Sequence, residues 1–439
     1  MFVVVALVID MELSNLSDLL GRQLASSWGI AIFILILIVY CLGQRSLLEF
    51  ATKHAKRVST RSRYLQTLNV IVRAIEYVYL VLFTILIFQI LIESYYYTAI
   101  LSIVLTISNA LTIITMALLA ERLFSYYRSN KNIVVLLYAV SSIVLVVTAI
   151  FTLAFMVPVL ESKELQVTSD SSAKFPIFQP GSIQDILNYL YYISAIVSYL
   201  SLWISTVILL HKYSKRLGRA KFWTMMCIPI IFYIAQVIIV LLIPYLHLFD
   251  ITSSSFIFYY RIIFTVSSTV GGILFGVPYL VISKKMINVP SVRNYINLSG
   301  IGFILFFVAG SATVYHTPYP PYGLATVALI GISSYFIFLG LYCSALSVSE
   351  DAKIRQQLRK YVQELPFLGV MGSAEVQQKI LLMTNSIRDN FVEEFGIEPS
   401  ISVDDTKRYL NEVLSEMKTL KKSSNDQRYD GEKNQDKEG

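Results

Sequence analysis

Residues 133–158 read IVVLLYAVSSIVLVVTAIFTLAFMVP, without a single charged side chain. As a helix rising 1.5 Å per residue, this run covers about 39 Å, more than the roughly 30 Å of hydrocarbon in a bilayer. It is continuously apolar rather than alternating with period two, which argues against a barrel strand. Helices are the other way to satisfy every backbone amide in lipid. The stretch therefore predicts a membrane-spanning helix.

Comparable runs lie on either side of it, over 24–43, 69–92, 97–119, 187–210, 222–246, 256–282, 297–314 and 324–346. The run at 297–314 is the weakest, being short and carrying Gly300, Gly302 and Gly310. The whole chain agrees with this pattern. Its 439 residues are 55% apolar and only 15% charged, with a mean hydropathy of +0.62. A soluble domain carries about 25% charged residues, and a chain this apolar would expose large apolar patches in water.

Charge alternates between the intervening loops. Arg45, Lys53, Lys56, Arg57, Arg61 and Arg63 follow the first run, and Arg122, Arg128 and Lys131 follow the third. Lys212, Lys215, Arg216, Arg219 and Lys221 follow the fifth; Lys284, Lys285 and Arg293 follow the seventh. The other loops are nearly free of base, the long one near 161–186 holding only Lys163 and Lys174. Basic loops stay in the cytoplasm, so the pattern predicts nine spans with the N-terminus out and the C-terminus in. Trp28, Tyr95, Tyr96, Tyr97 and Tyr189 fall near the predicted outer ends. Tyr126, Tyr127, Tyr213 and Trp223 fall near the inner ends, as an interfacial belt requires.

The expected architecture is all-α, a polytopic transmembrane bundle over 24–346 after an outer segment at 1–23. Phe2–Ile9 is apolar but too short to span and has no basic residue before it, which makes a poor signal peptide. Met11 offers an alternative start, and residues 1–10 are expected to be a flexible or interfacial appendage. Cys41, Cys227 and Cys343 all fall inside predicted helices, so no structural disulfide is expected. Asn15-Leu16-Ser17 fits a glycosylation acceptor on the outside, as does Asn297-Leu298-Ser299 on the wrong face.

Composition changes after the last span. Ile354, Leu358, Tyr361 and Leu365 form one helical stripe, ended by Pro366. Val376, Ile380, Met383, Ile387 and Phe391 form a second. Leu410, Val413, Leu414, Met417 and Leu420 form a third behind a cap at Ser402. A cytoplasmic helical module over 347–421 is expected, followed by a disordered polar tail at 422–439. Through 350–421 it would hold a protein partner or a second copy of the chain. No nucleic acid partner is expected; the bilayer itself is the other partner.

Searches for chemistry return little. No HExxH, GxSxG or CxxC occurs, no phosphate-cradling Gly-rich loop precedes a helix in the tail, and no histidine follows His316. No aspartate lies in a predicted span core, which removes an intramembrane aspartyl dyad. No cofactor or metal site is expected, and an intramembrane enzyme ranks third among the readings because no catalytic motif supports it. Ionisable groups within spans are the default functional pointers. Arg73 and Glu76, three apart on the second span, share a helical face, with Glu76 about 10 Å inside the boundary at 1.5 Å per residue. They read either as a self-neutralising pair with Arg73 snorkelling, or as the lining of a polar cavity or proton path. Arg261 snorkels at the outer end of the seventh span or joins that cavity, and Asn109 and Gln236 are candidate interhelical partners. Tyr315-His316-Thr317-Pro318-Tyr319-Pro320-Pro321-Tyr322-Gly323 reads as a rigid aromatic turn. It could plug the bundle, offer Tyr315, His316, Tyr319 and Tyr322 to a ligand, or simply turn the chain at the interface.

That turn, the glycine-containing span after it, and Ser347-Val348-Ser349-Glu350-Asp351-Ala352-Lys353 with Arg355 and Arg359 resemble uncharacterised multi-pass membrane proteins of archaea. The resemblance covers the last third of the chain. It implies the plasma membrane of an archaeal cell and no particular activity. Two classes of function remain open. One is a membrane sensor or scaffold that relays through the helices after the last span. The other is a transporter or channel-like permease that uses Arg73, Glu76 and Arg261.

Overall fold

In a computed structural model the described residues are 2–59, 63–162, 165–168, 178–179, 181–211, 218–241, 270–281, 283–284, 290–310, 319–350, 371–372 and 374–378. Nearly all of them are helical. In chain order the elements are α1 (Phe2–Asn15), α2 (Ser17–Leu24), α3 (Ser27–Ser59) and α4 (Arg63–Phe88, closing in a π-turn at Gln89–Glu93). Strand β1 (Tyr95–Tyr97), α5 (Thr98–Asn130), α6 (Ile133–Glu161), β2 (Gln166–Thr168) and α7 (Ile183–Leu210) follow. The remainder are α8 (Arg219–Leu241), α9 (Val270–Val281), α10 (Pro290–Ala309) and α11 (Leu324–Glu350).

Among the described residues seven helices, α3 to α7, α10 and α11, are long and apolar enough to cross a membrane. The chain is a membrane protein of the all-α class. These seven overlie the expected first to fifth, eighth and ninth runs. Helix α8 overlies most of the sixth, and the shorter apolar α9 covers the end of the seventh. The rest of that seventh run, 256–269, lies outside the described residues. Two compact units divide the chain, Met1–Gly372 and Ser373–Gly439. Of the second only 374–378 is described, a helical turn with Ala374 and Glu375 buried, so the expected helical module falls almost wholly outside the description.

Local signals explain where the helices end. Lys131 takes a left-handed conformation and donates its N–H to the Tyr127 carbonyl at 2.7 Å, closing α5. Asn132 then caps α6, its side-chain oxygen accepting from the Val134 amide at 2.9 Å. Two residues thus reverse the chain between two long helices. Ser182 caps α7 by accepting from the Asp185 amide, while Asp185 accepts in return from the Gly181 amide at 3.0 Å. Strands β1 and β2 pair antiparallel, with Tyr96 opposite Val167 and both buried.

Helix α11 is the centre of the bundle. Its apolar window is 94% buried, against 22% for that of α4. It packs on α10, α5 and α3, and the pairs α5–α6 and α6–α7 extend the bundle outward. Small residues make this possible. A Cβ on Gly331 would sit 2.6 Å from the Ser108 carbonyl oxygen of α5, so only glycine permits this approach. Ser108 Oγ donates to the Val327 carbonyl at 2.7 Å and accepts from the Gly331 amide at 2.9 Å. Two turns further along α5, Thr115 and Ser334 hydroxyls bond at 2.8 Å. Elsewhere Pro229 interrupts α8, and donors of α7 reach carbonyls around it. Trp203 Nε1 bonds the Met226 carbonyl at 2.9 Å, and Tyr199 bonds that of Pro229 at 3.3 Å.

The N-terminal residues differ from the expected appendage. Residues 2–15 form α1, which packs against α3, α10 and α11 and buries Leu7, Asp10 and Met11. A helix of this length cannot span, but its apolar face is long enough to dock. Asn15 is buried as well, so it is not an accessible glycosylation acceptor.

Candidate functional site

Two places bring polar chemistry together. The first is the start of α11. The four leading amides of a helix have no partner within it, and they attract negative charge. Here that charge comes from α1. Asp10 Oδ1 accepts from the Gly323 amide at 2.8 Å, and Oδ2 accepts from the Thr326 amide at 3.0 Å and the Thr326 hydroxyl at 2.7 Å. Gly323 adopts φ of +90°, a conformation that suits glycine. Asp10 has no exposed surface. Burial pushes its carboxyl up to about 6, outweighing the donors that favour the ionised form.

Two candidate tyrosines pack around this cap, facing inward. Tyr322 donates to the Gly29 carbonyl at 2.6 Å and meets the Phe33 ring edge-on at 5.4 Å. Tyr319 stacks on Tyr96 at 6.4 Å and its hydroxyl reaches the Ile90 carbonyl at 3.4 Å. Burial, and then the Asp10 charge, push the Tyr322 phenol above its usual range. Of the readings open for the aromatic turn, these two residues fit the plug: their rings and hydroxyls are occupied by protein. Tyr315 and His316 lie outside the described residues.

The second place is a cleft of about 270 Å³ between α3 and α4. Cys41, Gln44, Arg45, Leu48, Glu49 and Thr52 of α3 line one wall, and Arg73, Glu76, Tyr77 and Leu80 of α4 the other. Arg45 Nε bonds Glu49 Oε1 at 3.2 Å, one turn apart on α3. Arg73 and Glu76 pair with no described residue, including each other, although the charges of Arg45, Glu49 and Arg73 all act on Glu76. Gln44 is 2% exposed and its Nε2 has no hydrogen-bond partner. Leaving such a donor bare costs about 1–3 kcal/mol. One turn away, the buried Tyr40 hydroxyl is also unpartnered.

The sequence thus pointed to half of this cleft. Arg73 and Glu76 stand out because charge is rare in a span, whereas the Gln44, Arg45 and Glu49 wall hides in what looked like the start of a basic loop. The remaining candidates do not join it. Asn109 is buried on α5 and donates to the Leu105 carbonyl at 3.0 Å, within its own helix rather than across to another. Cross-helix bonds come instead from Ser108, Thr115 and Ser141, the last contacting Ser205 at 3.3 Å, and from Tyr335 of α11, which donates to Asn69 of α4. Serines and threonines are too frequent in spans for sequence to single these out. Gln236 lies on α8 with its side chain outside the description, and Arg261 lies outside the described residues altogether. The three cysteines are free thiols, Cys41 half-buried at the cleft. Among the described residues no three of His, Cys, Asp and Glu gather to hold a metal.

No family model matches the chain, and no curated protein or solved structure matches it either.

Proposed function

We propose that this protein is a membrane sensor or scaffold in which α11 carries a change in the bundle to the segment that follows it. The observation behind this reading is the burial of α11 along its length, with its first turn held by Asp10 of α1. A helix surrounded by protein responds to its neighbours rather than to lipid. A shift of α1, α3, α5 or α10 is therefore felt by α11, whose last residue, Glu350, runs directly into 351–439. The charge alternation of the loops supports placing that segment in the cytoplasm, and the resemblance to archaeal proteins supports the plasma membrane. The stripes over 350–421 would then hold the partner.

A pull-down from detergent, comparing the intact chain with one truncated after Ser349, tests the reading. A soluble partner recovered by the intact chain alone is the expected result. Identical recoveries from the two proteins would count against it.

A transporter or permease is the second reading, favoured by the unpaired Arg73 and Glu76 at the cleft, with Arg261 as a further candidate. Proton or solute flux into liposomes that is abolished by Glu76→Gln would establish it; equal flux in the two proteins would remove Glu76 from any pathway.

A further inference from the structure

The cleft between α3 and α4 carries features that the relay does not use. Its walls hold two guanidinium groups, Arg45 and Arg73, and two carboxylates, Glu49 and Glu76. Of these, Arg73 and Glu76 have no ion-pair partner among the described residues. Gln44, on the α3 wall, is buried and its amide Nε2 has no acceptor. Among the described residues, one guanidinium and one carboxylate of the cleft thus make no ion pair and one amide donor no hydrogen bond.

We propose that the cleft binds the headgroup of a zwitterionic phospholipid, one carrying a phosphate and a primary ammonium. Arg73, with Arg45 beside it, takes the phosphate, which guanidinium recognises by directed N–H donors. Gln44 Nε2 donates to a phosphate or ester oxygen. Glu76 and Glu49 accept from the ammonium, whose N–H groups a quaternary amine would lack.

Position supports a lipid. The side chains of Arg45 and Glu49 are 71% and 69% exposed, and charges so exposed do not sit in hydrocarbon. This level of α3 and α4 is therefore the headgroup level, shallower than the depth of about 10 Å that the length of the second run suggested for Glu76. Next to the charges the cleft walls become apolar through Leu42, Tyr77 and Leu80, which are 64%, 69% and 50% exposed. That surface receives acyl chains. A volume of about 270 Å³ is slightly below the roughly 300–1,000 Å³ of ordinary ligand pockets, and suits a headgroup with the chains left outside. Charge decides between lipid classes. An anionic lipid would satisfy the guanidinium groups but set its net charge against both carboxylates, whereas a zwitterion matches a cleft of balanced sign. The proposal is independent of the relay reading and of transport.

Native mass spectrometry of the detergent-solubilised full chain tests it, with phosphatidylethanolamine, phosphatidylglycerol and phosphatidylcholine added in equal amounts. One phosphatidylethanolamine retained per chain is expected, preferred about tenfold over phosphatidylglycerol, as one charged hydrogen bond would give. Arg73→Gln should weaken retention of every phospholipid, and Glu76→Gln should erase the preference over phosphatidylglycerol. Arg73 is exposed, so its variant should keep the wild-type melting temperature, which separates lost binding from lost folding. Phosphatidylglycerol bound as well as phosphatidylethanolamine by the wild type, or a preference untouched by Glu76→Gln, would overturn the proposal. Displacement by an equal concentration of soluble O-phosphoethanolamine would reassign the site to a free aminoalkyl phosphate and overturn the lipid assignment.

Discussion

Asp10 joins α1 to the first turn of α11, and its chemistry yields a signed pH dependence. The folded protein holds its carboxyl proton up to about 6, against an ordinary 3.8. The folded state therefore binds that proton more tightly than the unfolded chain does. The resulting stabilisation is fully present below about pH 4 and is lost as pH rises through about 6; the shift corresponds to about 3 kcal/mol. Neighbouring groups follow: burial also raises Glu12, and Tyr322 stays neutral across this range. Melting temperatures between pH 4 and 7.5 should fall with rising pH in the wild type, and this component should vanish in Asp10→Asn. A slope of the same size in the variant would mean that other groups cause it. Tyr322→Phe removes the donor to the Gly29 carbonyl and should cost about 1 kcal/mol, read in the same melts. Neither role was legible in the sequence. A carboxylate 313 residues from the amide it accepts from leaves no spacing pattern, and an aspartate after eight apolar residues reads as the end of a short greasy tail.

Among the elements, α11 and α4 make an instructive pair. Residues 324–346 and 69–92 look alike as apolar runs, yet one is the buried axis and the other is mostly uncovered. Hydropathy measures transfer out of water, and lipid and protein interior are about equally apolar, so it cannot rank spans by depth in a bundle. The clue that does bear on depth is residue size: Gly331, Ser333, Ser334 and Gly340 are all fully buried on α11. Gly331→Ala should cost about 1–3 kcal/mol, because the new methyl would meet the Ser108 carbonyl, which as backbone cannot turn aside. A thermal melt in detergent measures this, and a variant as stable as the wild type would mean that α5 and α11 separate at little cost. Trp203→Phe should cost about 1 kcal/mol by leaving the Met226 carbonyl beside Pro229 without its indole donor. Seven of the nine expected runs, by contrast, lie on helices long and apolar enough to cross a membrane, because length and continuous apolarity are what lipid demands of a helix. Their ends were not legible, since α3 runs on to Ser59 and α5 to Asn130 through polar residues.

The helix at the centre of the bundle is made after α1, which caps it, and after α3, α5 and α10, which pack on it. While translation proceeds, α3, α5 and α10 are in the membrane without the partner they share, and Asp10 is without the amides it accepts from. Ser108 likewise waits for Gly331. A chain stopped before residue 324 should therefore remain loosely associated and open to proteolysis in α1, however well its individual helices insert. Release of residues 324–350 from the ribosome brings α11 to these helices and its first amides to Asp10 together. A nascent chain of this protein thus holds inserted helices that lack their shared neighbour, and this part of the bundle closes only once α11 has been made.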